Sequence, residues 1–145
     1  MLRTAFVALA VLVLIMAACQ QAPAPDDLSV RGAVAAAYAT PQTGVVRVVP
    51  AQVVALVGRG FAPMPTDNQV MGLRTDAQTG RALATEHIQI RAVRVSHTQD
   101  SLYLYIPAEM PEGIYTLFLT ARGQTLSHYE GPARPIRIAV VRQSL

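Results

Sequence analysis

The chain opens with a block of apolar residues that has no periodicity. Every residue from 5 to 18 is apolar, fourteen in all, and Arg3 is the only charge ahead of them. A helix of that length reaches about 21 Å at ~1.5 Å per residue, against a bilayer core about 30 Å thick. The block therefore predicts the hydrophobic region of an export signal rather than a permanent span. Residues 20–27, Gln-Gln-Ala-Pro-Ala-Pro-Asp-Asp, alternate Ala and Pro between polar ends. That composition predicts an extended tether, roughly 25 Å long at ~3.1 Å per residue. Beyond it the pattern becomes the two-residue alternation of strands. Leu102, Leu104 and Ile106 share one phase and Tyr103 and Tyr105 the other. Tyr115, Leu117 and Leu119 alternate with Thr116 and Thr120, and Ile136, Ile138 and Val140 with Arg137 and Ala139.

Strands are predicted at residues 45–49, 52–57, 70–75, 88–98, 102–106, 114–121 and 136–142, punctuated by Pro50, Gly58, the Pro63–Asn68 loop, the 76–80 turn, Gln99-Asp100, Pro107 and Gly123. Residues 28–40 mix helix-forming alanines with Val30, Val34 and Tyr38; they are read as a first strand, with a helix as the alternative. In the long strand at 88–98, Ile88 and Ile90 occupy one phase while Val93 and Val95 occupy the other. One extra residue near Arg91-Ala92 restores a common inward face, so a β-bulge is expected there. About seven short strands in some 100 residues predict an all-β sandwich over residues 28–145, with its core at 45–142.

Composition narrows the function classes. The 145 residues carry 12 basic groups, every one an Arg, and 9 acidic groups, a formal charge of +3. So small an excess does not describe a nucleic-acid binder or a polybasic membrane binder. At 52% hydrophobic residues the chain is no disordered protein. A single Cys, Cys19, excludes a disulfide framework and any multi-cysteine metal site within one chain.

That cysteine follows the small residues Ala17 and Ala18, and Met16-Ala17-Ala18-Cys19 resembles the lipobox of bacterial lipoproteins. The resemblance implies cleavage after Ala18 and a diacylglycerol thioether on Cys19. Residues 1–18 are then a signal peptide, and 19–27 the lipidated Cys and its tether. Acyl chains contribute about 0.8 kcal/mol per buried methylene, so two or three of them hold a small domain on a bilayer. Gln20 after the Cys is similar to the outer-membrane-directed lipoproteins of diderm bacteria.

Three further blocks resemble the IPT/TIG family of immunoglobulin-like domains: Val53-Val54-Ala55-Leu56-Val57-Gly58-Arg59-Gly60-Phe61, Asp100-Ser101-Leu102-Tyr103-Leu104-Tyr105-Ile106-Pro107, and Pro111-Glu112-Gly113-Ile114-Tyr115-Thr116-Leu117-Phe118-Leu119. The resemblance implies an immunoglobulin-like sandwich over residues 45–142 serving as a binding or spacer module. Residues 74–97 form a longer stretch than the family's short strand pair. On physical grounds Gly58 and Gly60 permit positive φ at a sharp turn, Phe61 fills the core, and Tyr115 can bond its hydroxyl to loop backbone.

Candidate chemistry is sparse. Ser96, His97 and Asp100 hold the residue types of a hydrolytic triad, but neighbours on a strand point to opposite faces, and a hairpin end explains them better. Ser127, His128 and Glu130 meet the same objection. His87, His97 and His128 lack ligand spacing, and Asp67-Asn68 and Asp76 read as turn caps rather than a calcium loop. Glu109 and Glu112 would need a sugar cleft to act as a glycosidase pair. No catalytic residue, cofactor or metal is expected. Arg91 and Arg94, with Arg47, Arg74 and Arg137, could form a basic strip for an anionic glycan or lipid headgroup. Exposed aromatics in a row suit carbohydrate or protein contact, which singles out Tyr103 and Tyr105 with Arg91 and Arg94 as a partner-binding candidate. The resulting expectation is a lipid-anchored envelope protein, with a non-catalytic binding or scaffold domain. Its partners are the membrane through Cys19 and an envelope protein or surface polymer, with no nucleic acid. A pilot lipoprotein for an outer-membrane complex and, further off, an envelope hydrolase are the alternatives.

Overall fold

The computed structural model describes residues 28–35, 44–126, 128–129 and 134–142. Ala18, Cys19, the tether and residues 36–40 of the first predicted strand lie outside the described residues. Among those described there is no α-helix, and no helix is long and apolar enough to cross a membrane.

The strands run β1 (Ser29–Val34), β2 (Val45–Val48), β3 (Val53–Arg59), β4 (Asn68–Thr75), β5 (Ala82–Val95), β6 (Ser101–Tyr105), β7 (Gly113–Ala121), β8 (Gln124–Leu126), β9 (His128–Tyr129), β10 (Arg134–Pro135) and β11 (Arg137–Val140), with one 3-10 turn at Pro65–Asp67. All eight predicted strands, the first one included, appear with shifted ends. The three short strands β8, β9 and β10 do not follow from hydrophobic alternation, because strands of two or three residues are too short to display a period.

The protein is an all-β, immunoglobulin-like sandwich. One layer pairs β9, β1, β3, β6 and the end of β5, and the other pairs the start of β5 with β4, β7, β11 and β2. The strand order is continuous because β5 belongs to both layers: residues 82–90 pair with β4 and residues 91–95 with β6. β5 begins at Ala82, six residues before the predicted start, because residues 82–87 are held by backbone pairing with β4 while burying none of their side chains. Its register slips between Ala92 and Arg94, leaving Val93 unpaired. This is the expected bulge, and it lets Ile88, Ile90 and Val95 all pack on the core.

The alternating residues fill the space between the layers. Leu102, Leu104, Ile106, Leu117, Leu119, Ile136 and Ile138 are fully buried, with Val54 and Leu56 of β3 beside them. Each such side chain contributes about 1.5–3 kcal/mol of transfer free energy. Phe61 is also fully buried, as the core plug predicted for it. Gly60 has φ +78° and so makes the turn that swings Phe61 inward. Gly58 acts differently from the expectation. Its φ is not positive; instead a Cβ there would lie 1.9 Å from the Ser29 carbonyl oxygen. The residue is glycine because β1, irregular between Val30 and Gly32, presses against β3 at this point.

Two polar groups lock the loops onto the core. Tyr115 is buried and its hydroxyl donates to the Pro111 carbonyl at 3.1 Å, as expected for it. Asn68, which is 3% exposed, accepts from the Ala62 N–H at 2.8 Å and donates to the carbonyls of Ala62 at 2.9 Å and Met64 at 2.8 Å. Thr116, predicted to face outward, is buried and shares a 3.2 Å hydrogen bond with Thr75.

Candidate functional site

The outer face of the β1-β3-β6-β5 layer gathers the four residues singled out for partner binding. Tyr105 sits opposite Arg91 in the β5–β6 register, and Tyr103 opposite Arg94. On the other side β3 places Val53 beside Tyr105 and Ala55 beside Tyr103. The inward phase of β6 is fully buried, so both tyrosines must point out. Without the bulge at Val93, Arg91 and Arg94 would fall on opposite faces, since an odd separation of three residues reverses direction along a regular strand. The bulge is thus what brings the two guanidiniums to one surface.

The two tyrosines are not equivalent. The Arg94 guanidinium carbon lies 3.9 Å from the Tyr103 ring centroid, a cation–π stack that covers one face of a half-buried ring. Tyr105 is 37% exposed and Val53 44%. A groove of about 340 Å³ runs beside Tyr105, lined by Gln89, Arg91, Pro107 and Glu109. A rigid aromatic flanked by guanidinium donors and one carboxylate can stack on a sugar ring or an apolar side chain and hydrogen-bond its polar edge.

The five-arginine strip does not form. Arg91 and Arg94 belong to this face, whereas Arg47, Arg74 and Arg137 sit on β2, β4 and β11 of the other layer. Arg74 is paired with Glu86 at 3.3 Å. The physical reason is the sandwich itself: strands adjacent in sequence are divided between two layers.

The remaining candidates separate likewise. Ser96 Oγ donates to Asp100 Oδ1 at 2.7 Å and accepts from the N–H groups of Asp100 at 3.1 Å and Ser101 at 3.0 Å. Ser96 thereby closes the β5–β6 turn. His87 lies on exposed β5 opposite Leu73, far along the chain from His97 in the turn. Ser127, Glu130 and the side chain of His128 lie outside the described residues. Asp76 caps its turn by accepting from the N–H groups of Gln78 at 2.9 Å and Thr79 at 2.7 Å. Those bonds, Thr79 first, hold its carboxyl below the ordinary 3.8. Glu112 accepts from the Arg142 N–H at 2.8 Å. Among the described residues, no three His, Cys, Asp or Glu side chains come together as a metal site would require.

A cavity that the sequence did not single out lies at one end of the sandwich, about 580 Å³ in volume. Three arginines line it: Arg31 from β1, Arg59 from the end of β3, and Arg122 from the β7–β8 turn. Asp100 is its only carboxylate among the described residues. Hydrogen bonds from Ser96, then Thr98 and Ser101, hold that carboxyl below its usual 3.8, so it is ionised at neutral pH. Arg122 Nη2 donates to Gln99 Oε1 at 2.5 Å, and Arg59 Nε to Ser29 Oγ at 3.2 Å. Gln99 and Arg122 both have left-handed backbone, with φ of +56° and +50°. That conformation costs a residue other than glycine about 1–2 kcal/mol. Arg122 and Gly123, at φ +50° and +75°, form the two-residue turn between β7 and β8, where Asn would be the easy choice. Sequence reading missed this cluster because positions 31, 59 and 122 share no local pattern; only the convergence of strand ends joins them.

No protein-family model matches the chain, and no curated protein matches it. Among solved structures it is similar to a DUF4784 family protein from Bacteroides caccae, at 18% identity and a TM-score of 0.48, over 80% of this chain and 25% of that one. It is also similar to a protein from Bacteroides vulgatus described as a putative bacterial DNA binding protein, at 13% identity and a TM-score of 0.45, over 83% of this chain and 50% of that one. The chain thus spans between a quarter and half of the length of these two proteins.

Proposed function

We propose that this chain is a lipid-anchored cell-envelope protein whose immunoglobulin-like domain, of IPT/TIG type, is a non-catalytic binding module. Cys19 carries the acyl anchor after cleavage behind Ala18, and the Ala/Pro segment holds the domain off the membrane, the outer membrane in a diderm cell. The domain meets an envelope protein or surface polymer through Tyr105, Arg91, Arg94 and the capped ring of Tyr103. The observation that carries this reading is the sharing of one outer sheet face by those four residues, with Tyr105 standing free beside a groove.

The test has two parts. In cells, globomycin is expected to block processing, and Cys19→Ser to release the chain from the membrane fraction. A photocrosslinking residue in place of Tyr105 is expected to capture one discrete envelope partner, and Arg91→Glu to abolish that capture. Unchanged processing and fractionation would remove the anchor. Crosslinks that survive Arg91→Glu would remove the face.

A pilot role for an outer-membrane complex is a second reading, favoured by a different surface. The outer face of the other layer exposes Met71 beside a half-buried Phe118, and Ile114 and Val45 further along it. Such a face suits protein more than carbohydrate. Mislocalisation of one outer-membrane complex on deletion of the gene is the outcome this reading expects.

A further inference from the structure

We infer that the free edge of β5 at His87 and Gln89 is a strand-addition site: an extended peptide segment of another protein pairs there main chain to main chain and sets an apolar or aromatic side chain in the groove beside Tyr105. The directions of the backbone groups carry this. The two-residue turn at 122–123 makes Ala121 and Gln124 a hydrogen-bonded pair, and the Leu117 N–H donates to the Ile136 carbonyl at 2.8 Å. The odd-numbered residues of β7 therefore turn their N–H and C=O groups away from β4. The register of β4 on β7 then turns the groups of Val70 and Gly72 toward β5, where they pair with Ile90 and Ile88. His87 and Gln89 alternate with these and turn theirs to the opposite side of β5. That side is the one on which β6 lies: the Ile106 N–H donates to the Gln52 carbonyl ahead of β3 at 2.9 Å, so Tyr105 turns toward β5 and pairs with Arg91. β6 does not continue along it. The next pair in the register would be Gln89 with Pro107, which has no N–H and whose carbonyl accepts from the Met110 N–H at 3.1 Å. Among the described residues no other strand pairs with β5 on this side beyond Arg91.

A row of N–H and C=O groups spaced by two residues is matched by one chemistry, the main chain of an extended peptide. Sheets commonly blunt such an edge with Pro, Lys or a bulge, and residues 87–90 hold none of these. His87 and Gln89 are both exposed. The space in line with β6 is the groove of about 340 Å³ lined by Gln89, Arg91, Tyr105, Pro107 and Glu109. Ile88 and Ile90 face the core, so Gln89 shares the outward phase of Arg91. The occupant residue opposite Gln89 therefore sends its side chain into this groove, onto Tyr105, and its neighbour lies beside half-buried Ile88 on the inner side. A second copy of this chain fits less well. Paired about Ile88, its Thr85 would fall opposite Arg91, where β6 already lies; paired about Glu86, two carboxylates would face each other. The occupant is thus a chain end or a segment that bends away before Arg91. This inference rests on the proposed function in one respect, that the partner is a protein rather than a polymer.

The test uses the full chain purified in detergent, with amide hydrogen exchange followed by NMR. In the free chain the His87 and Gln89 amides are expected to exchange at least tenfold faster than those of Ile88 and Ile90. The probe is a blocked peptide, Thr-Val-Thr-Tyr-Thr, and the control is the same peptide N-methylated at every residue, which cannot form a ladder. Saturable slowing at His87 and Gln89 is expected with the peptide and not with the control. His87→Pro removes one N–H from the free edge and leaves the pairs with β4 in place, which a retained spectrum and urea midpoint will show. It is expected to weaken the peptide's effect at Gln89 by about tenfold or more. In cells the same variant is expected to abolish capture by the photocrosslinking residue at position 105. Absence of slowing at the two edge amides, or capture that survives in folded His87→Pro, overturns this inference and leaves the tyrosine face standing. Slowing at both amides without any capture at position 105 supports the edge and removes the proposed partner face. Slow exchange at His87 and Gln89 before peptide is added overturns the inference, and its rise with chain concentration would assign the edge to a second copy.

Discussion

A methyl group at position 58 would lie 1.9 Å from the Ser29 carbonyl oxygen and 2.9 Å from the Val30 Cα, both backbone atoms. Neither can move without parting β1 from β3. Gly58→Ala is therefore expected to destabilise the protein by about 3 kcal/mol or more, at the upper end of overpacking effects. Gly123→Ala meets nothing within 4 Å and carries only the left-handed backbone penalty, about 1 kcal/mol. Urea denaturation of the two variants checks the order. Acid behaviour follows from Asp76 and Asp100, both of which have carboxyl groups held below the ordinary value of 3.8 by hydrogen bonds. A depressed folded-state value means that the stabilisation is fully present above the unfolded value and is lost as pH falls through the folded one. The urea midpoint should thus stay level from neutrality to about pH 5 and fall below about pH 4, with a shallower fall in Asp100→Asn. Burial raises the Tyr115 hydroxyl above 10.0, which has the opposite consequence: its contribution holds below that pH and is lost as pH rises past the folded value. Phe61 and Tyr115 were legible in the sequence because large residues beside turn signals have few other uses. The role of Gly58 was not, since close approach and positive φ call for the same residue and only the packing of β1 tells them apart.

Strand β5 decides most of what lies above the single residue. Its alternation changes phase at Val93, and the register slip occurs there. Arg94 takes the pairing position next after Ala92, so deletion of Val93 should leave Val95 inward and Arg94 outward and remove only the bend that the bulge gives β5. The expected result is a retained, dispersed proton–nitrogen spectrum with a urea midpoint lowered by the equivalent of about 1–3 kcal/mol. A deletion that leaves the spectrum and the urea midpoint unchanged would mean that the bulge is dispensable. The bulge was readable because hydrophobic residues on both sides of it report their phase. Residues 82–87 were not readable as strand: Thr85, Glu86 and His87 are all exposed, and the segment is ordered by hydrogen bonds to β4 rather than by burial. The same reason hides β8, whose pairing with β7 follows from the two-residue turn at Arg122-Gly123.

At the scale of the whole molecule, β5 crosses from one layer to the other, so neither sheet can be removed without unzipping its neighbour. Unfolding is therefore expected to be a single transition, with far-ultraviolet circular dichroism and tyrosine fluorescence giving coincident midpoints. Separate midpoints would mean that the layers fold independently. The alternation of apolar residues by itself determined the all-β class, the main strands, the buried faces of β6, β7 and β11, and the break in β5, since burial against a common core writes a period of two into each strand. The gathering of Tyr103, Tyr105, Arg91 and Arg94 was half visible, because two of the four lie two residues apart on one strand and the others precede them by a hairpin. The division of the arginines between two layers, and the meeting of Arg31, Arg59 and Arg122 at one end, were decided only by tertiary structure. Exposed charges carry no period, and their distances are set by which strands pair and where they end.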